Sequence, residues 1–170
     1  MLELAAAGLW WILPAYFANA TPVVLKGRTP IDGNARFLDG RPILGKAKTI
    51  RGFLSGIGAG AIVGVLQGLA DPAGSYLTLA ILVSLGAMVG DSIGAFVKRR
   101  FDLPPGAAAP FLDQWDFVFG ALAFGFAGSV FLATPFPGTN VVLAILVLTA
   151  FLHVATNFVA FKLGLKKVPW

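Results

Sequence analysis

The chain has no cysteine, so disulfides and thiolate metal sites are excluded outright. Charge is also scarce. Only 12% of its 170 residues are charged, against about 25% in an ordinary soluble domain, while 57% are hydrophobic. That balance excludes a soluble globular protein and predicts an integral membrane protein of one domain, 1–170. The first apolar run is not expected to be a removable signal peptide. It opens with Glu3 in place of basic residues, and Trp10, Trp11 and Pro14 interrupt it. A net charge of +5 is compatible with nucleic-acid binding by itself, but the distribution of the bases points elsewhere.

Five stretches are long and apolar enough to cross a hydrocarbon layer of roughly 30 Å, which takes about 20 helical residues. They cover approximately 2–20, 52–70, 75–97, 117–133 and 141–161. All 13 Lys and Arg residues lie in the first connection (about 24–51), in the third (about 98–115) or in the C-terminal tail. The turns at 71–74 and 134–140 contain none. Positively charged loops stay on the cytoplasmic side. The expectation is therefore an all-α integral membrane protein with five transmembrane helices, its N-terminus outside and its C-terminus cytoplasmic.

Glycine recurs every four residues in the second span (Gly52, Gly56, Gly60, Gly64, Gly68) and in the third (Gly86, Gly90, Gly94). This spacing makes a smooth stripe on one helix face, where a neighbouring backbone can approach closely. In the third span the same arithmetic aligns Asp91, Ala95 and Lys98 on a second face. Two turns, about 10 Å, then separate an intramembrane acid from a base at the membrane surface. Ionised residues at membrane depth are costly and usually line a polar cavity with a task.

The first connection carries seven bases, and Lys46, Lys48, Thr49 and Arg51 cluster where the second span begins. They serve either as a topology determinant or, with the free amides of a helix N-terminus, as a site for a triphosphate. The segment is not a Walker A loop, because the spacing and the Lys-Ser/Thr pair are missing. Asp113 and Asp116 stand one helical turn apart at the entry of the fourth span. They either cap that helix or join Asp91 in holding magnesium, which takes a few carboxylates together with substrate phosphates. Asp102 reads as a solvated loop acid, and Pro104-Pro105-Gly106 as a stiffener. His153 and Asn157, at i,i+4 spacing in the fifth span, read as an interhelical hydrogen-bonding patch, as does Asn19 in the first. Lys166-Lys167-Val168-Pro169-Trp170 reads as an interfacial anchor.

Several segments together resemble the archaeal CDP-archaeol synthases, relatives of the phosphatidate cytidylyltransferases. They are Pro30-Ile31-Asp32-Gly33, Asp39-Gly40-Arg41-Pro42-Ile43-Leu44-Gly45, Lys48-Thr49, Gly90-Asp91-Ser92, Lys98-Arg99-Arg100, Asp113-Gln114-Trp115-Asp116 and the Pro-Trp terminus. The resemblance implies transfer of cytidylate from CTP to an isoprenoid ether lipid phosphate at the cytoplasmic leaflet, with magnesium as cofactor and release of pyrophosphate. Departures from the bacterial signature include Ala95 where a Ser is usual and Ala107-Ala108-Ala109 where His-Gly-Gly is expected. They point away from diacyl phosphatidate and toward an archaeal lipid.

On this basis Asp91, Asp113 and Asp116 are the expected metal ligands. Lys46, Lys48, Thr49 and Arg51 are expected at the CTP phosphates, Lys98 among the catalytic groups, and Arg99 and Arg100 at the lipid phosphate. The expected partners are CTP, the lipid phosphate and membrane lipids, with no nucleic acid. Two rivals fare worse. A CDP-alcohol phosphotransferase needs acids where this chain has Thr49 and Phe53. A small transporter or assembly protein is disfavoured because the acids gather at one membrane face and no inverted repeat is evident.

Overall fold

The structure, a computed structural model, describes residues 2–25, 27–72, 74, 76–104, 107, 109 and 111–165. The expected anchor at 166–170, the Pro105-Gly106 part of the stiffened loop and Ala108 lie outside the described residues. Five helices form among the described residues: α1 (Leu2–Val24), α2 (Ile50–Ala70), α3 (Tyr76–Arg100), α4 (Leu112–Leu132) and α5 (Thr139–Lys162). Two isolated antiparallel bridges, Pro30 with Thr49 and Arg36 with Pro42, are the β-type pairing found in the α1–α2 loop.

The all-α expectation is met, and α2 to α5 are each long and apolar enough to cross a membrane. Helix α1 is not in that set. Its Trp10, Trp11, Pro14, Tyr16, Asn19 and Pro22 lower its hydropathy, although its Ile12, Ala15 and Ala18 are fully buried in the bundle core. Helix α3 runs on through Lys98, Arg99 and Arg100, so the basic triplet lies on its last turn, where cations complement the helix dipole.

Helix α3 is central, with α4 packed along one side, α2 along another and α1 against both α2 and α3. Helix α5 lies outside, on α1 and α4. The glycine stripes account for this closeness. A Cβ at Gly56 would sit 2.6 Å from the Ala18 carbonyl oxygen and 2.7 Å from Met88 Sδ. At Gly60 it would lie 2.7 Å from Ser84 Cβ. Gly68 has open space beside it, so the packed stripe of α2 ends before that residue. Between α3 and α4 the approach is backbone to backbone: a Cβ at Gly90 would lie 3.1 Å from Gly120 Cα.

Pro14 of α1 leaves one carbonyl without its helical donor, and a neighbouring helix supplies another. Pro14 has no N–H to donate to the Trp10 carbonyl four residues earlier. The buried Gln67 of α2 donates to that oxygen instead, at 2.6 Å. Tyr16 and Thr149 share a 2.8 Å hydrogen bond that ties α1 to α5. His153 and Asn157, expected as an interhelical patch, bond to each other at 2.7 Å within α5.

Candidate active site at one end of helices α2, α3 and α4

The start of α2, the last turns of α3 and the start of α4 meet at one end of the bundle. Lys48, just before α2, forms an ion pair with Asp91 of α3. Lys98 of α3 forms another with Asp113 of α4. All four side chains are between 20% and 23% exposed, sheltered yet reachable from solvent. Asp113 also accepts a 2.9 Å hydrogen bond from the Ala109 amide, closing the turn before α4.

Asp116 occupies the space that Gly94 leaves on α3: a Cβ at Gly94 would lie 2.8 Å from Asp116 Cβ. Its Oδ1 accepts a 2.6 Å hydrogen bond from the Phe117 amide. The carboxylate lies within electrostatic range of Asp91, Lys48 and Lys98. The glycine stripe of α3 thus has a use beyond packing, because Gly94 makes room for the Asp116 side chain of α4.

The expected metal ligands are not assembled as a three-acid cluster. Among the described residues no group of three or more His, Cys, Asp or Glu side chains is placed to hold a metal ion. Asp113 is engaged by Lys98 and the Ala109 amide, and Asp91 by Lys48, while Asp116 lies within electrostatic range of Asp91. Two carboxylates still fit magnesium, which binds through one or two acids together with substrate phosphates and retained waters.

The basic residues divide by role. Thr49 is buried, and its Oγ1 accepts from the amides of Gly52 and Gly27, each at 3.2 Å, so it caps α2 and ties down the loop. Arg51 is exposed, and its Cβ lies where a Cβ at Gly27 would come within 2.8 Å, on the α1 side of α2. Lys46 is exposed as well. Arg99 Cδ approaches the turn at Gly45, 3.9 Å from where a Cβ would stand. Among the described residues no acid is ion-paired with Arg99, and its Nε is buried without a partner.

Arg100 is engaged differently. Its guanidinium lies over the rings of Phe37 (4.9 Å) and Phe96 (4.7 Å). It bonds Asp39 Oδ1 at 2.7 Å and also donates to the Pro42 carbonyl. Arg41 donates to the Arg100 carbonyl and lies 3.7 Å from Asp102, so this acid, read as merely solvated, has a weak partner. Arg100 therefore clasps the tip of the α1–α2 loop to the end of α3.

Sequence reasoning missed this clasp, since a run of three bases does not show which one folds inward. It also gave Asp32 no task. Asp32 accepts backbone hydrogen bonds from Leu44 (2.8 Å), Gly45 (3.1 Å) and Asn34 (3.0 Å). Partial burial would raise the Asp32 carboxyl, but these amides outweigh it and hold the group below its ordinary value.

A family profile described as CarS-like, CDP-archaeol synthase, matches residues 1–170. The chain belongs to the CDP-archaeol synthase family. The CDP-archaeol synthase of Pyrococcus furiosus is 48% identical over 165 residues, covering 95% of each chain. That of Methanocaldococcus jannaschii is 42% identical over 180 residues, covering 99% of this chain and 98% of the relative. A solved structure, described as an intramembrane enzyme for archaeal membrane lipid biosynthesis, superposes with a TM-score of 0.80 at 42% identity. The match spans 88% of this chain and 91% of that one. Membership in the CDP-archaeol synthase family sets aside the transporter rival. The phosphotransferase rival fails on the residues too: Thr49 is a helix cap, and Phe53 packs against the core.

Proposed function

We propose that this chain transfers CMP from CTP to an isoprenoid ether lipid phosphate, 2,3-di-O-geranylgeranylglycerol 1-phosphate, yielding a CDP-archaeol-type lipid and pyrophosphate. The observation that carries this reading is the meeting of Lys48, Asp91 and Asp116 at one end of a chain that the family profile matches from end to end. A phosphate oxygen of the lipid attacks the α-phosphorus of CTP in line. One P–O bond forms, the bridging bond to the β-phosphate breaks, and pyrophosphate leaves with the electron pair. The nucleophile is already an anion, so no protein nucleophile or dedicated base is needed. The work of the site is positioning and charge neutralisation.

Lys48 moves from Asp91 to the CTP phosphates, and Arg99, a sheltered base without an acid partner among the described residues, joins it there or at the lipid phosphate. Asp91 and Asp116 would hold magnesium, with Asp113 kept in register by Lys98. Bound magnesium would offset charge building up on the phosphate oxygens. Lys46 and Arg51, exposed at the rim, draw the polyanion in. Thr49 and Arg100 shape the loop.

The site opens to the cytoplasm, and α1 completes a set of five spans with the N-terminus outside. The distribution of all 13 bases supports this topology, as does the burial of α1 residues among the other helices. Purified protein given CTP, magnesium and the lipid phosphate should form a CDP-lipid identifiable by mass spectrometry, with one pyrophosphate per product. Pyrophosphate release that does not depend on the lipid, or no CDP-lipid at all, would sink the proposal.

A further inference from the structure

Asp32 is an acid in the most basic loop of the chain, yet among the described residues no Lys or Arg is ion-paired with it. Its partners are backbone amides. Oδ2 accepts from both Leu44 and Gly45, and Oδ1 from Asn34. The segment it grips leads directly into Lys48. Gly45, with φ of +90°, turns the chain, and its carbonyl accepts from the Lys48 amide at 3.2 Å. The Lys48 carbonyl in turn accepts from the Ile31 amide at 2.9 Å, immediately before Asp32. Beyond it the Ile50 amide bonds the Thr29 carbonyl at 3.0 Å. Both backbone groups of Lys48 are therefore bonded to residues that adjoin Asp32 or are gripped by it.

We infer that Asp32 is a positioning residue whose carboxylate braces the Leu44–Gly45 turn and thereby sets where Lys48 meets the substrate phosphates; this rests on the assignment of Lys48 to CTP. A charged acceptor makes stronger hydrogen bonds to amides than a neutral one. One oxygen shared by two successive amides also fixes the direction of the peptide between them. An amide in place of the carboxylate keeps the size but turns an N–H₂ toward at least one of the three donors. The turn then loosens, and Lys48 loses its fixed origin without losing its charge. A lysine misplaced by about 1 Å suffices for a loss on the order of 100-fold.

The test is a double-mutant cycle on the full-length protein in detergent, with CTP and the lipid phosphate varied separately. Asp32→Asn should lower kcat/KM for CTP on the order of 10-fold to 100-fold and leave KM for the lipid within about twofold. Lys48→Ala should lower it at least as much, and the double variant should be no worse than Lys48→Ala alone, because a brace acting through Lys48 has nothing left to position. Losses that multiply in the double variant would overturn the inference, as would wild-type kinetics in a folded Asp32→Asn protein beside an impaired Lys48→Ala. Wild-type kinetics for Lys48→Ala would overturn the Lys48 assignment and the brace together. If Asp32→Asn does not fold, Gly45→Ala takes its place, since it strains the same positive-φ turn with the carboxylate intact. The same CTP-selective, non-multiplying loss is then expected, and wild-type kinetics in that folded variant would overturn the brace.

Discussion

Lys48 and Asp91, 43 residues apart in sequence, are ion-paired where the start of α2 meets α3. Each neutralises the other in a sheltered position, which lets an acid and a base wait together near the membrane interior. On the proposed assignment, a magnesium nucleotide would present the complementary pair, a cation for Asp91 and phosphates for Lys48. Substrate binding would then exchange one set of opposite charges for another, with little net cost in buried charge.

Asp91→Asn should remain folded and lose activity on the order of 100-fold, because Asn keeps the shape but removes the charge that a cation needs. CDP-lipid formation and the thermal midpoint in detergent, measured together, check this. Near-wild-type turnover in a folded variant would remove Asp91 from the site.

Gln67→Leu should destabilise the bundle and spare catalysis. It leaves the Trp10 carbonyl, already without a donor from Pro14, unsatisfied in an apolar setting. Hydrogen bonds between membrane helices contribute about 0.6 kcal/mol on average and up to about 1.7. A lowered unfolding midpoint with unchanged KM for CTP is the expected result. A midpoint equal to wild type would mean that another group satisfies the carbonyl.

Asp32 predicts a particular pH dependence. Its carboxyl is held below the ordinary value in the folded protein by the amides of Leu44, Gly45 and Asn34, against the upward push of burial. The stability it contributes is present above the unfolded value, about 3.9, and is lost as pH falls through the folded value. Thermal midpoints of wild type and Asp32→Asn should therefore differ at neutral pH and converge in acid below about pH 4. Parallel curves throughout would contradict the brace.

Topology is open to direct labelling, because the chain has no cysteine of its own. Cysteine introduced at Gly138, which has open space beside it, should react with an impermeant thiol reagent applied to sealed cells. Cysteine at Leu38, 97% exposed on the α1–α2 loop, should be protected until the membrane is opened. The reverse pattern would place the site outside.

Several features were legible from the residues alone. Hydropathy marks the helices, since a buried backbone must satisfy its own hydrogen bonds and an apolar run must leave water. The four-residue glycine spacing foretold close packing, and Asp91 stood out as an isolated charge within the apolar run of α3. Side-chain partners were not legible. That Lys48 takes Asp91 while Lys98 takes Asp113 depends on how near α2 and α4 come to α3, and glycine contacts across the helix pairs set those distances. Arg99 and Arg100 are equivalent in the sequence. The end of α3 sends one toward the turn at Gly45 and the other over the rings of Phe37 and Phe96. Asp32 grips amides twelve and thirteen residues away, and backbone amides leave no signature in a sequence. The sequence by itself determined which segments are helical and apolar and where along the chain the charges gather, because transfer from water depends on local composition. Only the tertiary structure decided which acid faces which base, because that depends on distances between helices.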